Sequence, residues 1–525
     1  MSYSRVNASA ATLTKNRTTG SITPASGMCV TCVDGCIGMC EIGKSAYRGH
    51  EVIYPQPFGV ITTAAEKVYP VDYSHLTIMG TCVGAHGIEA DSDKAIFPAV
   101  DLTVRIGGDL KFRLPWLISG IGSTDIAKNN WEGLAIGSAL AGTGLTIGEN
   151  VAGMDGDAVF AGGRVVDTVD LKRRVELYRH HQRDGYGAII VQANVEDTRL
   201  GVLEYAIEKL GVQCVELKWG QGAKNIGGEV KIKDLAKAQR LHERGYLVLP
   251  DPTDAAVIEA FRRGAFKEFE RHSRVGMVTE ESFAARVEGL RAAGAAHIFL
   301  KTGAYRPADL ARALKFASRY TLDLLTVDAA SGGTGMSPWR MMNEWGIPPL
   351  NLHSLLHEYA RRLARKKEYL PALAVGGGFT FEDLIFKGLA LGAPYVKLIG
   401  MARGPVAAAM VGKTIGKAID ARRLPVYIER FGETKEEIFV TASHLRGELG
   451  PELYDRIPTG ALGLYTYYER LAQGLRQLMA GCRKFSLAHL SRDDLGCLTK
   501  DAADVTGIPY VMDVDRERAD AILES

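Results

Sequence analysis

Between residues 114 and 420, short apolar runs alternate with segments of helical periodicity. The apolar runs are WLIS (116–119), AIIVQA (188–193), CVELKW (214–219), YLVLP (246–250), HIFLK (297–301), LLTVDA (324–329), ALAVGGG (372–378) and YVKLIG (395–400). Their apolar positions run nearly continuously, as in strands covered on both faces. Between them, 168–183 is charged on one side and carries Val169, Val175 and Leu177 on the other. Segments 282–292, 307–318 and 381–391 read the same way, with Pro307 suited to a first turn, where its missing N–H costs little. Eight such βα alternations fit a (β/α)8 barrel, an α/β fold; a doubly wound sheet is the alternative.

The remainder divides around that unit. Residues 1–27 are rich in Ser, Thr and Ala, lack the apolar stretch of a secretory signal, and read as a mobile or partner-docked arm. Residues 28–113 form an N-terminal cysteine-cluster module, 114–425 the barrel, and 426–525 a mostly helical C-terminal extension. Within the extension, Tyr465, Tyr468, Leu471 and Leu475 make one helical stripe, expected to pack against the barrel.

With 525 residues, 46 % of them hydrophobic and 24 % charged, the chain can bury a large core without disulfides. The formal net charge of +2 gives no electrostatic case for nucleic acid or a membrane surface. No apolar run approaches the ~20 residues that span a bilayer, and a cytoplasmic protein is expected. Glycine is abundant, 59 residues, which suggests tight βα turns or backbone lying close to a ligand.

Four of the eight cysteines, Cys29, Cys32, Cys36 and Cys40, fall in one C-x2-C-x3-C-x3-C run. Such crowding in a long chain points to an intracellular metal centre rather than a disulfide framework. Four thiolates in one loop suit a [4Fe–4S] cubane, and Gly35, Gly38 and Gly43 let the chain wrap it. Structural zinc is the alternative, although it usually takes two separated knuckles. Cys82, in Gly80-Thr81-Cys82-Val83-Gly84, reads as a buried small residue rather than a fifth ligand.

The seventh run ends in Gly376-Gly377-Gly378 and the eighth in Gly400-Met401-Ala402-Arg403-Gly404. Loops after strands seven and eight of such barrels commonly hold phosphate on backbone N–H groups. The competing reading of each glycine is a turn that needs positive φ. A third run, Ser331-Gly332-Gly333-Thr334-Gly335, follows the sixth strand, so the rim suits a ligand longer than phosphate, such as flavin mononucleotide (FMN). Gln192, Lys218 and Lys301 stand at strand ends on that rim, where a lysine can stabilise a reduced, anionic flavin ring.

At these residues the sequence resembles the FMN-binding synthase domain of glutamate synthases, most of all the free-standing archaeal-type relatives. The segment WGQGAKNIGGEV (219–230), with Lys218, Gln221 and Lys224, is similar to the family's E-I-K-x-x-Q-G-A-K motif. SGGTGMSP (331–338) resembles H-D-G-G-T-G-A-S-P, LAVGGGFTFEDLIFKGLALGA (373–393) resembles V-D-G-G-x-x-T-G, and SGIGSTDI through TIGEN (119–150) resembles the first strand and a following loop. The resemblance spans about 114–408. It implies an FMN barrel fed with electrons by an iron–sulfur cluster, reducing the imine of 2-oxoglutarate and ammonia to glutamate. By the same resemblance, Ser119, Gly120, Gln192, Lys218, Gln221, Ser331, Gly332, Gly333, Gly376–Gly378, Gly400, Met401, Ala402 and Arg403 contact the cofactor. Lys301 is a flavin or oxo-acid contact, and Glu149 a loop carboxylate at the site mouth.

Departures bear on the substrate. Ala330-Ser331 stands where the family has His-Asp, and 401–415 lacks the family's three cysteines. The amidotransferase and glycine-rich β-helix domains are absent from this sequence. Ammonia is then expected from solution or from separate subunits, and electrons from ferredoxin or another donor protein. Rival expectations are an FMN and iron–sulfur oxidoreductase acting on another amine or oxo-acid, including an N-substituted glutamate synthase, or an electron-transfer subunit of a larger complex.

Overall fold

A computed structural model describes residues 33–38, 40–49, 69–220, 229–330 and 345–525. Eight parallel strands close into a barrel: β1 (Trp116–Ile121), β2 (Gly144–Ile147), β3 (Ala188–Ala193), β4 (Cys214–Lys218), β5 (His297–Thr302), β6 (Leu324–Asp328), β7 (Ala372–Gly376) and β8 (Val396–Met401). Closure is made by β8 on β1, with Ile399 opposite Trp116 and Met401 opposite Ile118. The (β/α)8 expectation therefore holds.

One strand assignment is corrected. Leu247–Leu249, within the YLVLP run, belongs to a separate antiparallel sheet with Glu229–Ile232 and Phe269–His272, inserted between β4 and β5. Val248 alone of its three residues is buried, while Leu247 and Leu249 are exposed. A strand buried on one face can still read as continuously apolar, so the run alone did not separate it from a barrel strand. The missing barrel strand is Gly144–Ile147, a run of four opened by glycine that gives little periodic signal.

The helical segments form close to their expected bounds, at Val169–His181, Glu280–Ala292, Pro307–Arg319 and Glu382–Gly392. Thr168 and Thr279 accept first-turn backbone N–H groups, and Pro307 occupies the first turn.

Four helices matter for placing the remainder: α1 (Glu41–Arg48), α2 (Asp125–Leu140), α3 (Arg403–Asp420) and α4 (Thr459–Gly481). Helix α4 lies across α2 and α3 and also meets α1. Its residues Tyr468, Leu471 and Leu475 are fully enclosed, so the stripe packs as expected. Among the described residues, no helix is long and apolar enough to cross a membrane.

The end of the barrel at the strand N-termini is closed by a hairpin, Val104–Ile106 paired with Leu110–Phe112. Val104, Ile106 and Phe112 join the inward-facing Leu117, Ile190, Cys214, Phe299, Leu324, Ala374 and Leu398 in one apolar plug.

Candidate functional site

Side chains alternate across a strand. Inward positions therefore climb from Cys214 through Glu216 to Lys218, from Phe299 to Lys301, and from Leu324 through Thr326 to Asp328. The strand registers place Glu216 opposite both Gln192 and Phe299, and Lys301 opposite both Lys218 and Thr326. Two residues above the apolar plug, the barrel interior has become polar and charged.

Lys218 Nζ lies 2.7 Å from Glu149 Oε2, and Lys301 Nζ lies 3.4 Å from Asp328 Oδ2. The Gln192 carboxamide donates to Glu216. Glu216, Lys301 and Gln192 are each at most 4 % exposed. Burial pushes the Glu216 carboxyl upward, opposed in part by Lys301, Gln192 and Lys218. Burial would lower Lys301, but the carboxylates of Asp328, Glu216 and Glu149 outweigh it and hold the ammonium charged. The mouth thus holds fixed cations beside carboxylates, one of which is biased toward its neutral, proton-bearing form.

The rim beside β7 and β8 is backbone. Gly377 and Gly378 have φ of 119° and 104°, conformations that L side chains rarely adopt. A Cβ on Gly376 would lie 2.9 Å from Asp328 Oδ1, and one on Gly400 2.8 Å from Ser119 Oγ. Helix α3 begins at Arg403 behind Ala402, which has no side-chain oxygen to cap its first N–H groups. Turns without side chains beside a helix N-terminus suit an anion. Gln192 adds a second fit to a polar planar ligand. Its Oε1 is buried without a partner among the described residues, and it lies where a Cβ on Gly120 would come within 2.6 Å. The chemistry of these residues fits an FMN.

A cleft of about 580 Å³ opens beside the mouth, lined by Glu149, Lys218, Trp219, Tyr305, Arg274 and Met277. The carboxylate that borders it is held from behind. Asn150 takes a left-handed conformation, φ 64°, and donates its backbone N–H to Asp197 at 2.9 Å. Tyr246, just before the inserted strand Leu247–Leu249, donates its hydroxyl to the Asn150 side chain at 3.3 Å. Burial raises Asp197 to about 7, against its bonds from Asn150 and Asn194.

Of the sequence-derived candidates, the structure brings Glu149, Gln192, Lys218 and Lys301 to one mouth, with Ser119, Gly120, Gly376–Gly378, Gly400, Met401, Ala402 and Arg403 around the rim. Gln221, Ser331, Gly332 and Gly333 lie outside the described residues, as do Cys29 and Cys32. Cys36 and Cys40 are described: Gly38 donates to Cys36 Sγ at 3.4 Å, and Cys40 immediately precedes α1. Their loop sits on α3, where Asp34 meets Lys413 at 3.3 Å. That contact lies about 15 Å along the helix from Arg403. Among the described residues, no three His, Cys, Asp or Glu side chains assemble a metal site. Cys82 is exposed rather than buried, on a polar turn.

Sequence reasoning missed Glu216, Asp328 and Asp197. The first two were reachable: Glu216 is two residues before Lys218 and so shares its inward face, and Asp328 ends a strand. Asp197, just behind the third strand, carried no such signal.

Residues 272–409 match the family model described as a conserved region in glutamate synthase. This chain carries that glutamate synthase region. It takes in β5 through β8, and with them Lys301, Asp328 and the glycine turns, while Glu149, Gln192 and Lys218 lie before it. No curated protein matches the sequence. Similar solved structures include a flavocytochrome b2 mutant with pyruvate bound, at 15 % identity and TM-score 0.47, covering 84 % of this chain and 80 % of that one. A mutant of the active chimera of (S)-mandelate dehydrogenase is 13 % identical with TM-score 0.44, covering 81 % and 88 %. A putative lactate oxidase of Pediococcus acidilactici is 12 % identical with TM-score 0.40, covering 79 % and 81 %.

Proposed function

We propose that the chain is an FMN-dependent oxidoreductase of the glutamate synthase type, which aminates 2-oxoglutarate reductively to glutamate. The observation that carries the reading is the convergence, inside one barrel mouth, of the Lys218–Glu149 and Lys301–Asp328 pairs beside an anion-shaped glycine rim on the glutamate synthase region. Bound flavin would supply hydride chemistry, which turns an imine into an amine once a proton is added at nitrogen. Gln192 and Lys218 would hold the ring, and Lys301, kept cationic, would bind a substrate carboxylate or the ring's developing charge. Glu149, ion-paired with Lys218 beside the open cleft, would relay a proton from the Lys218 ammonium to the imine nitrogen. Electrons would arrive singly through a [4Fe–4S] cluster on Cys29, Cys32, Cys36 and Cys40. The contact of the Cys36 loop with α3, the helix that begins at the proposed phosphate site, supports that route.

A second reading, another amine in place of ammonia, is favoured by the cleft. About 580 Å³ beside Glu149 is room for an oxo-acid together with an amine larger than ammonia. Full-length protein purified without air should be yellow and release FMN on acid denaturation, and it should show iron and sulfide in cluster stoichiometry. Reduced by dithionite, it should form glutamate from 2-oxoglutarate and ammonium; faster turnover with methylammonium would move the assignment to the second reading. A folded, colourless protein would overturn both.

A further inference from the structure

The turn that follows β7 is held by a residue that none of the sequence motifs singled out. His353, on the helix Pro349–Arg365, is 2 % exposed. Its Nε2 lies 3.2 Å from the carbonyl oxygen of Gly376, and its Nδ1 2.6 Å from the Tyr73 hydroxyl. A carbonyl can only accept, so Nε2 carries the proton. Nδ1 is then an acceptor, and the Tyr73 hydroxyl donates to it. The same Gly376 oxygen also accepts the backbone N–H of Ala329 at 3.0 Å. Two donors on one carbonyl fix the orientation of the Gly376–Gly377 peptide, the start of the turn.

The rings reinforce the bonds. His353 stacks on Phe379 at 5.7 Å and 20°, and Tyr73 meets Phe379 edge-on at 5.4 Å. Phe379 directly follows Gly378, so both ends of the glycine turn are clamped. Burial keeps the imidazole neutral, its pKa pushed down to about 3 against the opposing bond to Gly376. Tyr73 is itself anchored: Asp72 and His75 cap its short turn, and Lys387 donates to its carbonyl at 3.0 Å. The strand that follows, Leu76–Ile78, pairs with Leu495–Cys497 of the C-terminal extension.

We propose that Tyr73 and His353 are positioning residues for a phosphate monoester: their two-bond relay holds the Gly376–Gly378 turn in the shape that presents its backbone to the anion. The inference rests on the flavin reading above for the identity of the ligand, and it assigns residues before and beyond the glycine motifs to that site. Tyr73 also selects the tautomer. Without its hydroxyl, Nδ1 has no donor among the described residues, and the proton can move there and leave two lone pairs facing at Nε2 and Gly376.

FMN and riboflavin differ only in the phosphate, so their affinities for flavin-free full-length protein separate the turn from the ring site. Wild type should bind FMN at least about tenfold more tightly than riboflavin. Tyr73→Phe should weaken FMN by about threefold to tenfold and leave riboflavin within about twofold. The double variant Tyr73→Phe/His353→Phe keeps the ring packing, leaves no orphaned hydroxyl, and should erase most of the preference for FMN. Retained preference in both variants would overturn the relay while leaving the flavin reading intact. Equal loss of both ligands would reduce the relay to a general packing role and overturn it as well. A wild type with no preference for FMN would remove the phosphate site itself, and the relay with it.

Discussion

At the floor of the barrel, Leu117, Ile190, Cys214, Phe299, Leu324, Ala374 and Leu398 meet a hairpin and exclude water and charge alike. Two to four residues further along the same strands, Gln192, Glu216, Lys218, Lys301 and Asp328 line the barrel interior. The same parallel strands run through both places, so the contrast lies mainly in the side chains. An apolar floor returns free energy for every atom it buries. Buried ion pairs roughly break even against apolar residues of equal size, so the mouth gains little stability from its charges. Charges that bring the fold so little stability mark the mouth, rather than the floor, as the candidate ligand site.

The largest expected effect breaks the floor. Phe299 is fully enclosed, and Phe299→Ala should cost about 4 kcal/mol of unfolding free energy, measured by urea titration. FMN affinity should stay within about threefold if floor and mouth are separate devices. A change at the mouth should do the reverse. Lys301→Met removes the cation beside Asp328 and Glu216 and should cost about 3 kcal/mol, because it leaves buried carboxylate uncompensated. Adding Asp328→Asn should restore most of that stability but not flavin retention. Recovery of both together would mean that the pair serves the fold rather than a ligand.

How much of this was legible beforehand follows from what each residue leaves in the sequence. The strands that became β1 and β3 to β8 announced themselves because burial on both faces demands unbroken apolar runs. The inserted strand at Leu247–Leu249 gave the same signal for a different reason, and Gly144–Ile147 was too short and too glycine-led to give it. The turns at Gly376–Gly378 and Gly400 were visible because close approach and positive φ exclude other residues. Lys218 and Lys301 stood out as charges at the ends of apolar strands. His353 and Tyr73 left no such trace. Each sits in an ordinary segment, and their relation spans 280 positions of chain. Contacts of that kind exist only once the barrel has closed.

The smallest effect sharpens the comparison just outside the floor, where a histidine meets two aspartates. His297, at the start of β5, is 7 % exposed and lies 3.4 Å from Asp323 Oδ2 and 3.1 Å from Asp109 Oδ1, on the turn of the plugging hairpin. Asp323 first, then Asp109, raise its pKa, against the lowering effect of burial. The folded state therefore binds the proton more tightly than the unfolded chain. The stabilisation is complete below the unfolded value of about 6.5 and is lost as pH rises through the folded value. His297→Gln should accordingly cost about 1 kcal/mol near pH 5.5, because one partner, Asp109, is itself exposed to solvent. The deficit should shrink steadily above neutrality, as denaturation midpoints taken across the pH range would show. FMN affinity should not follow it, since the mouth lies at the opposite end of the strands. A deficit that grew with pH would mean that the imidazole is held neutral, and that the hairpin is seated by packing alone.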